Sequence, residues 1–194
     1  DFEVLVGVGS QNTEEAVEMA KFAEDCGFTR IVLQPTYYNK AEQSWMIRHF
    51  EAVSEQFNGK IYIYSIPQLT NSRMDMETYK NIMESTGKIE AIKESSGDIR
   101  YFNEVAANFS SKVKIYQGQD DLLLQSLMLG ARGGVCGTTN ITPMALDVYT
   151  SFINGDFARA IKAQKLLNQF FRLVNEYPFP SMTYAAFQKG RNIR

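Results

Sequence analysis

Two short apolar runs end in side chains suited to covalent chemistry. Lys60-Ile61-Tyr62-Ile63-Tyr64 ends in a tyrosine and is followed by Ser65-Ile66-Pro67, and Ile89-Glu90-Ala91-Ile92-Lys93 ends in a lysine. Apolar positions before Lys93 direct its stem into packed surroundings, although lysines at strand ends commonly carry the ammonium out to solvent. The balance shifts because Tyr64 stands at the same place in the preceding run, so the two side chains would share adjacent strand ends. A lysine amine attacks a ketone only when unprotonated, and desolvation favours that form. The imine then accepts the electron pair released when the neighbouring carbon–carbon bond breaks, and a nearby tyrosine can move the protons. That chemistry requires no metal and no other cofactor.

Other catalytic constellations are poorly represented. The chain has one histidine, His49, which removes metal sites built on two histidines. His49 also falls inside a helical pattern, which argues against a histidine-based triad. Gly7-Val8-Gly9-Ser10-Gln11-Asn12 lacks the third glycine of a dinucleotide fingerprint, and no Walker sequence occurs. Cys26 and Cys136 lie far apart and are expected as two buried free thiols.

The elements that must position these groups alternate along the chain. Strand-like runs cover Val4–Val8, Arg30–Gln34, Lys60–Tyr64, Ile89–Lys93, Val113–Gln117 and Gly134–Cys136. They are apolar on both faces, as strands of a covered parallel sheet are. Between them lie amphipathic stretches. Asn12 and Glu15 form a capping-box pattern before Ala16, Ala20 and Ala23, and Gly27 stands where a left-handed helix end belongs. Met46, Phe50 and Val53 form one stripe, and Ile99, Phe102, Val105, Ala106 and Phe109 form another. Leu122–Leu129 ends at Gly130, and Thr142-Pro143 reads as an N-cap with proline in the first turn. Asp156 begins a long helix carrying Phe157, Ala160, Ile161, Leu167, Phe170 and Val174. Tyr177-Pro178-Phe179-Pro180 breaks it before a last helical segment.

Six βα units imply a parallel α/β architecture, either an open doubly wound sheet or part of a barrel, and both place active residues at the C-terminal ends of strands. The chain has 194 residues, 44% of them hydrophobic, enough for one core but short of the about 250 residues of a closed (β/α)8 barrel. A net charge of −2 gives no electrostatic reason for a nucleic-acid partner. No run approaches the roughly 18 apolar residues of a membrane span, and Asp1-Phe2-Glu3 does not open a signal peptide, so a cytoplasmic location is expected.

Tyr64-Ser65-Ile66-Pro67-Gln68-Leu69-Thr70, followed by Ile89-Glu90-Ala91-Ile92-Lys93-Glu94-Ser95-Ser96-Gly97-Asp98, resembles the dihydrodipicolinate synthase/N-acetylneuraminate lyase family. Pro35-Thr36-Tyr37-Tyr38-Asn39, Gly118-Gln119-Asp120-Asp121 and Gly133-Gly134-Val135-Cys136-Gly137-Thr138-Thr139-Asn140 with Pro143 match further motifs of that family in its order. The resemblance implies a (β/α)8 TIM barrel, represented by strands 3–8 plus C-terminal helices. It divides the chain into a partial barrel domain at 1–155 and a helical extension at 156–194. Val4–Val8 matches the third strand, so the chain is expected to be part of a longer enzyme, with the family's Gly-Ser/Thr-Thr-Gly-Glu segment outside it.

The resemblance also implies roles. Lys93 matches the lysine that captures pyruvate or another 2-keto acid, and Tyr64 the tyrosine that shuttles protons. Tyr37 or Tyr38, depending on the alignment, matches a loop tyrosine often lent to a neighbouring subunit of a homotetramer. Ser95 falls near the substrate, as do Gly118 and Gly137, and Asp120 and Asp121 match an acidic pair that binds sugar hydroxyls. Asp120 and Asp121 also suit a helix N-cap. Leu69, expected to be buried, occupies the position where lysine-pathway synthases carry a carboxylate-binding arginine, and it offers no fork for that anion. Gly137 stands where lyases usually have serine, and Lys93–Asp98 is closer to the synthases. The leading expectation is cleavage of a 2-keto sugar acid such as N-acetylneuraminate to pyruvate and N-acetylmannosamine. The alternatives are condensation of pyruvate with aspartate semialdehyde, or cleavage of a 2-keto-3-deoxy sugar acid. A non-catalytic homologue and an unrelated doubly wound binding domain remain as other classes.

Overall fold

In a computed structural model, residues 3–176 are described together with 181, 184, 185 and 188. The break expected at Tyr177-Pro178-Phe179-Pro180 lies outside the described residues. Of the segment after it, residues 181, 184, 185 and 188 are helical. The chain forms two units, one of residues 1–96 and 107–115, the other of residues 97–106 and 116–194.

The first unit carries four strands, β1 (Val6–Gly7), β2 (Arg30–Leu33), β3 (Lys60–Ser65) and β4 (Ile89–Glu94). Each is parallel to the next, as the crossovers require. β1 is shorter than the run Val4–Val8, because only Val6 and Gly7 form ladder rungs, with Ile31 and Val32. Ile31, Leu33, Ile61, Ile63 and Ile92 are fully buried, as are Phe50, Phe57, Tyr79 and Ile82.

Helix α1 (Thr13–Asp25) begins as the sequence implies, with Asn12 Oδ1 accepting from the Glu15 N–H at 2.8 Å. The Glu15 carboxylate accepts from the Ser10 hydroxyl. Ala16, Ala20 and Ala23 are buried, and the chain leaves the helix at Gly27 with φ +86°, a conformation that glycine adopts without penalty. Cys26 and Cys136 are both free, but Cys26 is exposed, contrary to expectation, because it is the residue at which α1 ends. In α2 (Gln43–Gln56), Met46, Phe50 and Val53 are buried as read, and His49 is buried with them. α3 (Pro67–Thr70) and α4 (Met76–Thr86) follow β3. The second is not among the expected helices; Asp75 caps it by accepting from the Thr78 N–H.

The β3–β4 ladder is interrupted once. Ile61 pairs with Ile89 and Tyr62 with Ala91, so Glu90 is an extra residue on β4. Its carboxylate accepts from Arg30 Nε at 3.1 Å and Lys114 Nζ at 2.7 Å. The Lys114 hydrogen bond, with the charges of Lys114 and Arg30, lowers the Glu90 carboxyl from its ordinary value.

Helix α5 (Ile99–Phe109) has residues in both units, and β5 (Lys114–Gln117) leads into the second. There Tyr116 and Gln117 pair in parallel with β6 (Gly133–Gly134). β6 ends before the expected Cys136, which instead caps a 3-10 turn at Gly137–Asn140. Another 3-10 turn, Asp120–Leu122, runs into α6 (Leu123–Met128). α7 (Met144–Ile153) starts one residue later than read: Pro143 is its N-cap, and Thr142 Oγ1 accepts weakly from the Met144 N–H at 3.4 Å.

α8 (Phe157–Asn175) is capped by Asp156 as expected. It buries Ala160, Gln164, Leu167 and Val174, whereas Phe157 and Ile161 are exposed. The buried line advances by threes and fours, which turns Ile161 off it. Phe157 packs edge-on to Phe152 at 5.7 Å. Leu123, Leu127, Cys136, Val148, Ala160 and Leu167 form the core of this unit.

Candidate active site

The ends of β3 and β4 bring the two expected catalytic side chains together. Tyr64 and Lys93 are register partners, and the Lys93 ammonium lies 4.0 Å from the centroid of the Tyr64 ring. A cation over an aromatic face is attracted by the ring's quadrupole. Both residues are half-buried. The extra residue Glu90 is what aligns them. Were Glu90 paired with Tyr62 instead of bulged out of the ladder, Ile92 would stand opposite Tyr64.

The next rung pairs Ser65 with Glu94 on the other face of the ladder. Glu94 Oε1 accepts from the Ser96 N–H at 2.7 Å and from Ser65 Oγ at 3.4 Å. Burial pushes the Glu94 carboxyl up, against the opposing pull of these donors and of Arg73. Ser95 is buried; its N–H donates to the Ser65 carbonyl at 2.8 Å, and its carbonyl accepts from Gln68 Nε2 at 2.7 Å. The sequence carries no signal for Glu94, because an acid beside a candidate nucleophile does not reveal which face it takes.

Leu69 is 68% exposed rather than buried. It lies in the single turn α3, whose buried member is Thr70. The absence of a donor at this position stands regardless of burial. Tyr37 and Tyr38 follow β2, and the structure separates them. Tyr37 is half-buried, while Tyr38 is 82% exposed and has φ +82°. A bulky residue in that region is strained, and such strain concentrates at functional positions.

The remaining candidates belong to the second unit. Gln117 ends β5 fully buried; its Oε1 accepts from the Gly118 and Gln119 N–H groups at 2.8 Å each, and its Nε2 donates to Ser126 Oγ. Asp120 is buried and caps the turn containing Gly137. Its Oδ2 accepts from the Gly137 N–H at 3.0 Å, and its Oδ1 from the Thr138 N–H at 2.9 Å and from the Thr138 hydroxyl. Its carbonyl accepts from Gln164 Nε2 at 3.0 Å. Asp121 is half-buried, and burial together with the Asp120 charge pushes its carboxyl up. Of the acidic pair, Asp120 thus makes internal contacts through both carboxylate oxygens.

Among the described residues, no group of three or more His, Cys, Asp and Glu side chains is placed to hold a metal ion, and no helix is long and apolar enough to cross a membrane.

Comparison with known proteins gives this geometry a context. A family model described as the dihydrodipicolinate synthetase family matches residues 1–190. An uncharacterized DapA-like lyase of Thermoplasma acidophilum is 41% identical over 193 residues, covering 99% of this chain and 66% of that protein. A 2-dehydro-3-deoxy-D-gluconate/2-dehydro-3-deoxy-phosphogluconate aldolase of Picrophilus torridus is 36% identical over 191 residues, covering 98% of this chain and 71% of that protein. The chain therefore spans about two thirds of the length of these curated relatives. Among solved structures, a 2-keto 3-deoxygluconate aldolase from Picrophilus torridus matches with a TM-score of 0.91 at 36% identity, over 97% of this chain and 68% of that one. The α/β elements described above are thus βα units of a TIM-barrel fold, not of an open doubly wound sheet.

Proposed function

The chain belongs to the dihydrodipicolinate synthetase family, and from that premise we propose that it carries the Schiff-base centre of a class I aldolase acting on a 2-keto-3-deoxy sugar acid. The observation that carries this reading is the Lys93 amine stacked on the Tyr64 ring at 4.0 Å. The unprotonated amine adds to the C2 ketone, and loss of water from the carbinolamine gives an iminium. The C3–C4 bond then breaks as the C4 hydroxyl gives up its proton, and the electron pair moves into the iminium to form an enamine. Aldehyde departs, the enamine takes a proton at C3, and water releases pyruvate and the free amine. Tyr64 serves the proton transfers.

Two observations support the sugar acid as substrate. Leu69 supplies no cationic fork for the carboxylate of aspartate semialdehyde. The relative from Picrophilus torridus is named for 2-dehydro-3-deoxy-D-gluconate. N-acetylneuraminate, the first expectation from sequence, gives way to this smaller substrate, since none of the relatives reported above is named for it. Condensation of pyruvate with aspartate semialdehyde is the second reading, favoured by the synthase-like run Lys93–Asp98. The strain and exposure of Tyr38 support it, rather than Tyr37, as the relay tyrosine completing a neighbour's site in a homotetramer.

Borohydride reduction of the full-length protein with pyruvate tests the centre. An adduct mapping to Lys93 is expected, and an adduct elsewhere, or none, overturns the reading. Assays with 2-keto-3-deoxygluconate, N-acetylneuraminate and aspartate semialdehyde rank the substrates.

A further inference from the structure

Glu94 takes no part in the chemistry proposed above, yet it is only 1% exposed and lies immediately after Lys93. Successive strand residues face opposite ways, so Glu94 is turned from the amine. We propose that Glu94 is a positioning residue: its hydrogen bonds to Ser65 and Ser96 hold the ends of β3 and β4 in the register that seats the Lys93 amine over Tyr64.

Three connections meet at the rung beyond Tyr64–Lys93. Glu94 Oε1 takes the Ser65 hydroxyl and the Ser96 N–H, the Ser95 N–H reaches the Ser65 carbonyl, and Gln68 holds the Ser95 carbonyl. Removing Glu94 takes away the link from the Ser96 N–H to the Ser65 hydroxyl. Lys93 is the penultimate residue of β4, so its backbone follows that turn. Stability alone does not account for an acid here. Glu94 Oε2 finds no hydrogen-bond partner among the described residues, and a buried acceptor left that way costs free energy that an apolar side chain would not. An apolar side chain, however, could not hold the Ser96 N–H and the Ser65 hydroxyl at once.

The test uses the full-length protein and needs two readouts. The first requires no keto acid: acetic anhydride labelling of Lys93, measured by peptide mass spectrometry against exposed Lys112. In Glu94→Ala the labelling ratio is expected to rise about threefold, while Glu94→Gln, whose amide oxygen replaces Oε1, stays at the parent value. The second rests on the Schiff-base reading. Borohydride trapping with saturating pyruvate is expected to slow about tenfold in Glu94→Ala at unchanged half-saturation, and to recover in Glu94→Gln. Should the alanine variant not fold, Glu94→Asp, one methylene short of Ser96, replaces it with the same expectation. A parent protein that traps no pyruvate defeats the Schiff-base reading and leaves the labelling ratio to judge Glu94. A parent-like labelling ratio, or a parent-like rate per folded molecule by circular dichroism, overturns the positioning role.

Discussion

The Lys93 amine lies over the face of the Tyr64 ring, so the ring's attraction for a cation and the hydroxyl's use to a substrate are separable properties of one side chain. Tyr64→Phe keeps the face and removes the hydroxyl. It is expected to leave the pyruvate adduct on Lys93 while turnover falls by about 10²–10⁴. Lys93→Ala is expected to abolish the adduct. Trapping and steady-state assays of both variants in the full-length protein decide this, and unchanged turnover in Tyr64→Phe would remove the tyrosine from the mechanism.

Leu69 is exposed on a single turn after β3, where a longer side chain meets little steric resistance. Leu69→Arg is expected to move the ratio of kcat/KM values about tenfold toward aspartate semialdehyde and away from the sugar acid, the size of one charge-assisted hydrogen bond to a carboxylate. No change in that ratio would show that position 69 does not face the aldehyde.

Asp120 gives the second unit a different kind of prediction. Both carboxylate oxygens are occupied by Gly137 and Thr138. Asp120→Ala is therefore expected to cost about 1–3 kcal/mol of stability through two stranded N–H groups. Thermal denaturation reads that cost; a raised KM at an unchanged melting temperature would instead return Asp120 to direct substrate binding.

His49 ties three segments together, with Nδ1 3.0 Å from Thr13 Oγ1 and Nε2 3.2 Å from the Gln34 carbonyl. A carbonyl only accepts, so the neutral ring carries its proton on Nε2. Burial pushes its pKa from 6.5 to about 4. A folded-state value below the unfolded one means that the contribution is complete above pH 6.5 and is lost as pH falls toward 4. Between pH 7 and 5 this residue alone should remove about 2 kcal/mol of unfolding free energy. Urea titrations should show that slope in the parent and a flatter one in His49→Gln, and equal slopes would refute the assignment.

Much of this was legible in the chain. Strand ends at Tyr64 and Lys93 followed from apolar runs, and the helix at Asp156 from its cap. What escaped has physical causes. The helix at Met76–Thr86 carries ordinary signals, Asp75 before it and Gly87 after it, within the connection between two strand runs. Leu69 is apolar yet exposed, because apolar character favours burial without requiring it. Glu94 and Gln117 were invisible because their roles come from the partners that folding supplies. The order of Tyr37 and Tyr38 could not be read from two identical letters, whereas backbone geometry distinguishes them.

The extra residue in β4 has a genetic corollary. A side chain's face on a strand depends on counting, so the gene encodes the reactive centre partly as a spacing. Insertion of a single codon between Ala91 and Lys93 would leave both Lys93 and Tyr64 in the message and set the amine one place out of step with the ring. Such an insertion variant is expected to fail in borohydride trapping with pyruvate. A family member could thus lose its chemistry with every catalytic letter intact, and a search for the letters alone would count it as active.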